Sequence, residues 1–205
     1  MRREIDPQSS PRGRAFELWK NAPMPRVTIT KTFNIGRLVK AGRRRGLKTN
    51  MLMCWCIGHA ANPITEFYTL PAGGRLWQYD CLAVNTVVMT SKGEPHLCDI
   101  PFSEDLHQFN EDYLRLTRQV HDTNEDYLLG EQYMTIDTSA LSQCEIDGVV
   151  SVYSEIFSNP FLAGANTGGD TSRPRCLSPS NSTTPRWTAS KPPVSSTASK
   201  RQSTN

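Results

Sequence analysis

The 205-residue sequence has no apolar run near the roughly 18 residues that a membrane-spanning helix requires. Arg2 and Arg3 are followed by no hydrophobic segment, so a secretory signal is not indicated either. We therefore expect a cytoplasmic protein without a membrane partner. Apolar residues make up only 37% of the chain, which predicts either a thin core or a segment that does not contribute to the core.

The chain also lacks a basic body. Residues 162–205 hold six Lys or Arg and one Asp, whereas the net charge of the whole chain is only +3. Residues 1–161 are therefore slightly acidic, and the mild overall basicity belongs to the C-terminal segment. A body that binds nucleic acid is not indicated, and we expect no nucleic-acid partner.

The six cysteines form no metal-binding or disulfide framework. Cys54 and Cys56 are separated by one residue, and neither Cys-x-x-Cys nor His-x-x-x-His occurs. Structural zinc sites take paired ligands at such spacings. We predict free thiols, no metal and no disulfide.

Residues up to 161 have the periodicity of a mixed α/β chain, which predicts a mixed sheet flanked by helices. Asn34, Thr49 and Ser103 are candidate helix caps, and Gly73–Gly74 is typical of a hairpin turn. The expected strands are 26–33, 67–70, 76–79, 82–89, 133–136 and 146–153, and the expected helices are 34–45, 50–61 and 103–120. We expect residues 1–11 to be flexible.

The composition changes abruptly after residue 161. Residues 162–205 contain nine Ser, seven Thr and five Pro but only four large apolar residues. Such a segment cannot bury enough apolar surface to offset the entropy lost on ordering. We expect residues 162–205 to be a disordered basic tail.

Several stretches of residues 12–161 resemble the chloramphenicol acetyltransferase family in sequence and in order. Ala15–Trp19 is similar to the family's His-Phe-Glu-x-Phe, and Asn62–Phe67 stands where the family has Asn-x-His-Pro-Glu-Phe. Gly74–Asp80 is similar to the Gly-Glu-Leu-x-x-Trp-Asp hairpin, and Asn159–Phe161 includes a proline expected shortly before a Gly-Lys-Tyr. The resemblance implies the fold of the coenzyme A-dependent acyltransferases.

The resemblance implies the transfer of an acetyl group from acetyl-CoA to a hydroxyl of chloramphenicol or a similar small acceptor, as in antibiotic resistance. It also implies a homotrimer with the acceptor pocket between subunits. The family's base is the second histidine of a late His-His-x-x-x-Asp-Gly motif, which takes the proton of the attacking hydroxyl. This chain has no such motif. None of its four histidines is followed by Asp-Gly at that interval, and a surface or loop position is expected for each: His59, His96, His107 and His121.

The missing motif can be recovered in another reading frame. Residues 181–189 can be encoded by a nucleotide sequence that, read from one nucleotide earlier, gives Gln-Phe-His-His-Thr-Gln-Met-Asp-Gly. The Asp is obligatory there, because Trp187–Thr188 always contains G-A-C across the codon junction. In the same frame, residues 164–167 can encode Gly-Lys-Tyr, 18 residues before the first His, which is the family's interval. Our hypothesis is that one nucleotide was lost near Ala163–Gly164.

The same frame can encode Leu-Pro-Val-Ser-Ile-Gln before the motif and an Ala-Ala-Arg-Phe-Leu-Asn helix after it. The tail is then an out-of-frame translation of the catalytic segment. The nucleotide sequence decides the question. The hypothesis is excluded if the frame shifted by one nucleotide does not encode the motif.

The resemblance places a few other side chains at the site, each with an alternative role. Ser142 stands where the family has the serine that hydrogen-bonds the tetrahedral oxyanion, although it could equally be an ordinary strand residue. Phe16, Trp19 and Met24 are either acceptor-pocket or core residues. The remaining candidates are basic: Arg12 or Arg14 as the partner of the absent motif Asp, and Arg43–Arg45 as either a coenzyme A phosphate site or a solvated helix end.

Two functions therefore remain open. In the first, the chain is an acetyl-CoA-dependent O-acetyltransferase by descent that has lost its general base. In the second, it is a non-catalytic trimer-fold binding or interaction protein with a flexible basic tail. An acetylation assay with thiol detection separates the two.

Overall fold

A computed structural model describes residues 1–22, 27–141, 159–165 and 186–191, and every structural statement below concerns these residues. Their four α-helices are α1 (Gly13–Trp19), α2 (Gly36–Arg45), α3 (Thr49–Ala61) and α4 (Leu106–Thr123). Their nine strands are β1 (Arg3–Ile5), β2 (Val27–Thr32), β3 (Thr69–Ala72), β4 (Arg75–Gln78), β5 (Cys81–Met89), β6 (Pro95–Pro101), β7 (Tyr133–Leu141), β8 (Phe161–Ala165) and β9 (Arg186–Lys191).

The strands form a large mixed sheet and a small antiparallel one. The six-stranded sheet has the order β2-β9-β8-β7-β5-β6, and its β5–β7 and β7–β8 pairs are parallel. The three-stranded sheet has the order β1-β4-β3. Helices α3 and α4 pack on β5, β6 and β7. The expected mixed sheet flanked by helices is confirmed.

Helix α4 shows how the sequence produces this packing. Its buried residues are Phe109, Tyr113, Leu116 and Val120, spaced four, three and four apart, so they form one stripe along the helix. The stripe packs on Val84, Cys98 and Ile100 of the sheet and on Met51 and Leu52 of α3. Full burial of a large apolar side chain contributes about 1.5–3 kcal/mol, so α4 is held mainly by this stripe.

Local signals placed most helix boundaries within two residues. Asn34 Oδ1 accepts a hydrogen bond from Gly36 N at 3.0 Å, close to the expected cap, whereas Thr49 lies inside α3 rather than before it. At α4 the capping side chain is Asp105, which accepts from His107 N at 2.8 Å. Ser103 instead accepts from Asp105 N, because its hydroxyl closes the turn that leads into the helix.

The hairpin prediction is confirmed, with shifted strand ends. Gly73 and Gly74 form the turn between β3 and β4 with φ of 60° and 74°, a left-handed conformation that glycine adopts without steric cost. Residues 82–89 are confirmed as an interior strand, since β5 lies between β7 and β6. The strand expected at 133–136 extends to Leu141. The strand expected at 146–153 lies outside the described residues.

The N-terminal residues pair with the small sheet. Strand β1 pairs with β4 from Arg3–Gln78 to Ile5–Leu76. The Met1 ammonium is 2.6 Å from Asp80 Oδ2, and the Arg2 guanidinium contacts Glu131 and lies over the Trp77 ring. Long-range pairing orders this segment, and no local pattern in the sequence signals it.

Two segments of the chain after residue 161 form strands. Strand β8 runs to Ala165, and β9 fills the position between β2 and β8, antiparallel to both. Strand pairing uses backbone N–H and C=O groups, which a polar sequence also carries. Residues 186–191 contain no Pro or Gly and include Trp187 and Thr188, which favour strands. The rest of the expected tail, 166–185 and 192–205, lies outside the described residues.

Candidate active site

The parallel strands β5 and β7 separate at their carboxyl ends. They pair in register from Cys81–Tyr133 to Thr86–Thr138. Beyond this point β7 continues along β8 to Leu141, whereas β5 continues along β6 to Met89. A crevice at the carboxyl ends of parallel strands is where ligands bind in open α/β sheets. We therefore take this end of the sheet as the candidate site.

A groove of about 1100 Å³ lies beside the free end of β5. One side is formed by Val87–Met89, another by α4, and Lys48 stands before the first turn of α3. Val87 and Met89 are 41% and 60% exposed. The groove therefore combines an apolar strip with a cation at one end.

The α4 side of the groove is charged but largely self-paired. Arg115 donates to Asp112 Oδ1 at 2.7 Å, and Gln108 donates to the other oxygen of the same carboxylate at 3.0 Å. These bonds hold the pKa of Asp112 below its ordinary value against the opposing effect of burial. Asp112 is therefore an anion whose two oxygens already accept hydrogen bonds from side chains of the same helix, so it is not suited to act as a base.

A half-buried amide joins the three elements around the groove. Asn50 Nδ2 on α3 donates to Thr86 Oγ1 on β5 at 3.0 Å and lies 3.1 Å from the Tyr113 hydroxyl on α4. Burial raises the pKa of Tyr113 to about 12, so this phenol is neutral at pH 7. The sequence signal for this network is a single Asn in an otherwise apolar helix, and neither Asn50 nor Lys48 was singled out from the sequence.

Ser142 and Met24, two of the predicted site residues, lie outside the described residues. Ser142 follows directly in sequence on Leu141, the last residue of β7.

Phe16 and Trp19 have different environments. Phe16 is 4% exposed and packs with Leu76 and Ile5 in a small core cluster. Trp19 is 45% exposed. Neither side chain lines the groove beside β5. For Phe16, this environment matches the core alternative that the sequence left open.

The arginine candidates also lie in different environments. Arg12 Nη1 donates to the carbonyl oxygens of Glu66 at 3.0 Å and Thr69 at 2.9 Å, which ties the N-terminal segment to the start of β3. Burial lowers the pKa of Arg12, and Glu66 opposes this. Arg14 is exposed. Arg43–Arg45 form the exposed last turn of α2, where cations complement the helix dipole.

All four histidines lie on the surface or half-buried beside a partner. His59 stacks on Trp55 with ring centroids 4.9 Å apart, and His96 Nδ1 is 2.8 Å from Asp126 Oδ1. His107 and His121 lie on α4 near carboxylates of the same helix. His121 alone borders the groove. Three of these positions are on helices and one is on β6, so none is in a loop.

The described part of the chain contains four cysteines without a disulfide, Cys54, Cys56, Cys81 and Cys98. Burial raises the pKa of Cys54 to about 11 and that of Cys98 to about 12. Both thiols are therefore protonated and unreactive at neutral pH. Among the described residues, no three His, Cys, Asp or Glu side chains are grouped to hold a metal ion, and no helix is long and apolar enough to cross a membrane.

Comparison with solved structures identifies the fold. A chloramphenicol acetyltransferase matches with a TM-score of 0.69 at 16% identity, over 93% of this chain and 89% of that one. The chain has an acetyltransferase fold. The Azotobacter vinelandii dihydrolipoamide acetyltransferase also matches this fold, with a TM-score of 0.57 at 14% identity over 87% of this chain and 76% of that one.

A probable dihydrolipoamide acetyltransferase from Listeria monocytogenes matches the acetyltransferase fold with a TM-score of 0.58 at 9% identity, over 93% of this chain and 85% of that one. No protein-family model matches the sequence. No curated protein matches it either.

Proposed function

We propose that this chain descends from a chloramphenicol acetyltransferase-like enzyme and has itself lost activity. The parent reaction is acetyl transfer from acetyl-CoA to a hydroxyl of chloramphenicol or a similar small acceptor, in a cytoplasmic homotrimer. The observation that carries the proposal is the acetyltransferase fold, which the ordered motifs of residues 12–161 resemble independently in sequence.

The reaction defines what the site must supply. The acceptor oxygen attacks the thioester carbonyl, its proton passes to a base, and the tetrahedral intermediate expels the coenzyme A thiolate, which recovers a proton. A positioned base typically contributes 10²–10⁴-fold to such a step, and an oxyanion donor contributes further. In this proposal Ser142 is the oxyanion donor, and the base is missing.

The groove beside β5 supports a co-substrate of the coenzyme A type. Val87 and Met89 offer apolar surface to an uncharged arm, while Lys48 offers a cation to a phosphate group. The groove lies at the carboxyl end of β5, between this strand and α4.

We attribute the missing base to the frame change near Ala163–Gly164. The His-His codons of the alternative frame overlap residues 182–184, immediately before β9. The codons of the parent enzyme's catalytic segment therefore overlap those of β9 and of the residues just before it. The loss of one nucleotide upstream would remove the histidine base from the encoded chain.

Activity assays on two chains test the proposal. The present chain and a chain with the alternative frame restored after residue 163 are assayed with chloramphenicol and acetyl-CoA, with release of coenzyme A thiol as the readout. We expect the present chain to be slower by at least about 10²–10⁴-fold. In the restored chain, alanine at the second histidine of the motif should abolish the gain.

Two results would contradict the proposal. Acetylation by the present chain at the restored chain's rate would reveal a base elsewhere in the chain. A restored chain that binds acetyl-CoA but transfers nothing would favour the non-catalytic binding protein. Restored chains that fold are recognised by a cooperative thermal transition.

A further inference from the structure

Charge is strongly segregated along the chain. Residues 18–65 contain nine Lys or Arg and no Asp or Glu, whereas residues 66–161 contain four Lys or Arg and sixteen Asp or Glu. The slightly acidic net charge of residues 1–161, which gave no indication of a nucleic-acid partner, is therefore the sum of two opposite regions. The basic region needs its own explanation, because a surface attracts a partner through its local charge.

Helix α2 carries five of these nine cations, and all five are exposed. Leu38 packs against the core cluster of α3 and α4, and Gly42 is buried, so this face of the helix points inward. Arg37, Lys40 and Arg44 are spaced three and four residues apart, which places them in one row on the opposite face. We call Arg37, Lys40 and Arg44 the α2 basic stripe. It is about 10 Å long.

Helix stability does not explain the α2 basic stripe. Arg37 is the second residue of α2, where a cation opposes the helix dipole. Lys40 and Arg44 are four residues apart, and like charges at this spacing destabilise a helix. Only the last turn, Arg43–Arg45, places cations at the end of the helix that the dipole favours. The charges of Arg37 and Lys40 therefore destabilise the free helix and indicate an external partner.

Within the described part of the chain, no carboxylate forms an ion pair with the α2 basic stripe. The Lys and Arg side chains that do form ion pairs there all lie outside α2: Arg2, Lys20, Arg75 and Arg115. Several carboxylates of the acidic region already bond to partners in the same chain: Asp80, Asp99, Asp112, Asp126 and Glu131. The acidic region of a second copy is therefore poorly suited to neutralise the stripe, because its carboxylates are already bonded.

Two features favour nucleic acid over an anionic membrane as this partner. The apolar side of α2 packs on α3, so α2 cannot insert that side among lipids as interfacial helices do. Phe33 is 51% exposed and directly precedes Asn34, at the N-terminal end of the stripe. Proteins bind single-stranded nucleic acid with cations that follow the phosphate backbone and with aromatic rings that stack on bases. The α2 basic stripe and Phe33 supply both kinds of group.

We propose that the α2 basic stripe and Phe33 bind single-stranded nucleic acid without sequence preference. The three cations neutralise successive phosphates, two of them as arginines whose forked guanidinium groups suit phosphate oxygens. The Phe33 ring stacks on an adjacent base. None of the α2 cations lines the groove beside β5, so this surface is separate from the candidate active site and does not depend on acetyl transfer.

Fluorescence anisotropy of a labelled oligo(dT) of about 20 nucleotides, titrated with the full chain, tests this surface. The stripe variant replaces the three cations of the stripe: Arg37→Gln, Lys40→Gln and Arg44→Gln. The control variant removes the same charge from three exposed cations outside α2: Arg14→Gln, Arg75→Gln and Lys92→Gln. Far-UV circular dichroism identifies any variant that has lost its fold. If the stripe variant does, Lys40→Gln/Arg44→Gln repeats the measurement.

We expect the stripe variant to bind oligo(dT) at least about tenfold more weakly than the wild type and the control to bind like the wild type. Each phosphate contact on a single strand contributes about 0.7 to the slope of log Kd against log salt concentration. The stripe variant should therefore lose about 2 from this slope.

The contribution of Phe33 is measured separately. Phe33→Ala should weaken binding at least about fivefold without changing the salt slope, because stacking on a base releases no counterions. Phe33→Trp, which keeps an aromatic ring, should bind like the wild type.

Four outcomes would overturn the proposal. A wild-type chain that does not bind oligo(dT) has no such site. Equal weakening in the stripe and control variants means that binding follows net charge rather than the stripe. Stripe-dependent binding to vesicles of phosphatidylcholine and phosphatidylglycerol, without stripe-dependent binding to oligo(dT), assigns the surface to a membrane. A particle mass that falls in the stripe variant, again without binding to oligo(dT), assigns the surface to a second copy.

The binding outcome is independent of the activity outcome. Stripe-dependent binding to oligo(dT) supports this surface whether or not the frame-restored chain transfers an acetyl group. A frame-restored chain that is active while the wild-type chain leaves oligo(dT) unbound contradicts the nucleic-acid surface alone.

Discussion

Asp99 is a buried carboxylate at the edge of the large sheet. It is 5% exposed, and its oxygens accept from Asn85 Nδ2 at 2.8 Å and from Leu129 N at 2.9 Å. The same edge is closed by backbone bonds between Tyr127 and residues 97 and 99. Asp99 thus holds the segment that connects α4 to β7 against β6.

The burial of Asp99 should make the free energy of unfolding depend on pH. Burial raises the pKa of Asp99, although the hydrogen bonds from Asn85 and Leu129 oppose the rise. A raised folded-state pKa means that the stabilisation is complete below the ordinary pKa and is lost as pH rises through the folded value. The free energy of unfolding of the wild type, relative to Asp99→Asn, should therefore fall as pH rises above the ordinary Asp pKa of about 4, as measured by urea unfolding.

Asp80→Asn is the control with the opposite sign. A hydrogen bond from the Met1 ammonium lowers the pKa of Asp80, so its stabilisation is present at neutral pH and is lost on acidification. The wild-type advantage over this variant should increase with pH. If the difference for Asp99→Asn also increases with pH, the assigned direction of the Asp99 shift is wrong.

At the scale of elements, local sequence patterns predicted the parts whose stabilising contacts are local. The stripe of α4, the apolar α3 and the Gly73–Gly74 turn each carry their signal within one segment. The sequence pattern did not predict strand β6, because its first and last residues are Pro95 and Pro101 and proline normally interrupts a strand. Its position at the sheet edge, with a proline at each end, accommodates them. Strand β1 was missed because it depends on pairing with β4, about 70 residues away.

Gly58 marks a close contact between α3 and Phe102, the residue that follows β6. A Cβ at this position would overlap the ring of Phe102. Phe102 packs against both large core clusters, so the ring cannot move without disturbing one of them. The helical glycine is thus retained by close packing, despite its cost of about 1 kcal/mol relative to alanine.

Gly58→Ala should therefore destabilise the chain even though alanine favours helices. Overpacking costs about 1–3 kcal/mol, against a gain in helix propensity of about 1 kcal/mol. Urea unfolding should give a net loss of up to about 2 kcal/mol. Adding Phe102→Leu should recover part of that loss, and Gly130→Ala, where nothing lies within 4 Å, should have little effect. A stabilised Gly58→Ala variant would show that the contact is looser than described.

At the scale of the whole molecule, the sequence could indicate the acetyltransferase fold but not the fate of its C-terminal segment. Composition correctly identified the segment as poor in apolar side chains. It did not predict that Arg186–Lys191 would pair between β2 and β8, because backbone pairing depends on an open place in the sheet rather than on side chains. The candidate site has the same limit, since Lys48 borders the groove, and Asn50 bonds to β5 and α4, only after α3 packs on β5.

The present chain should associate rather than form a monodisperse trimer. Strand β9 supplies backbone partners to β2 and β8, but the alternative frame's Phe and Leu are not encoded, and each would contribute about 1.5–3 kcal/mol when fully buried. Domains have only about 5–15 kcal/mol of net stability. Val27 and Ile29 are exposed on β2, the outer strand of the large sheet, and an apolar edge strand promotes association.

Size-exclusion chromatography with light scattering and a thermal melt measures this association. We expect large or polydisperse species and a weakly cooperative transition. Ile29→Lys should reduce the apparent mass, because a charge on the edge strand β2 opposes edge-to-edge contact. Leu128→Lys, at an apolar and similarly exposed position elsewhere, should not. A monodisperse trimer with a cooperative transition would mean that residues 1–165 and β9 hold the fold without the missing helix. In that case contacts between subunits of the trimer would have to cover Val27 and Ile29.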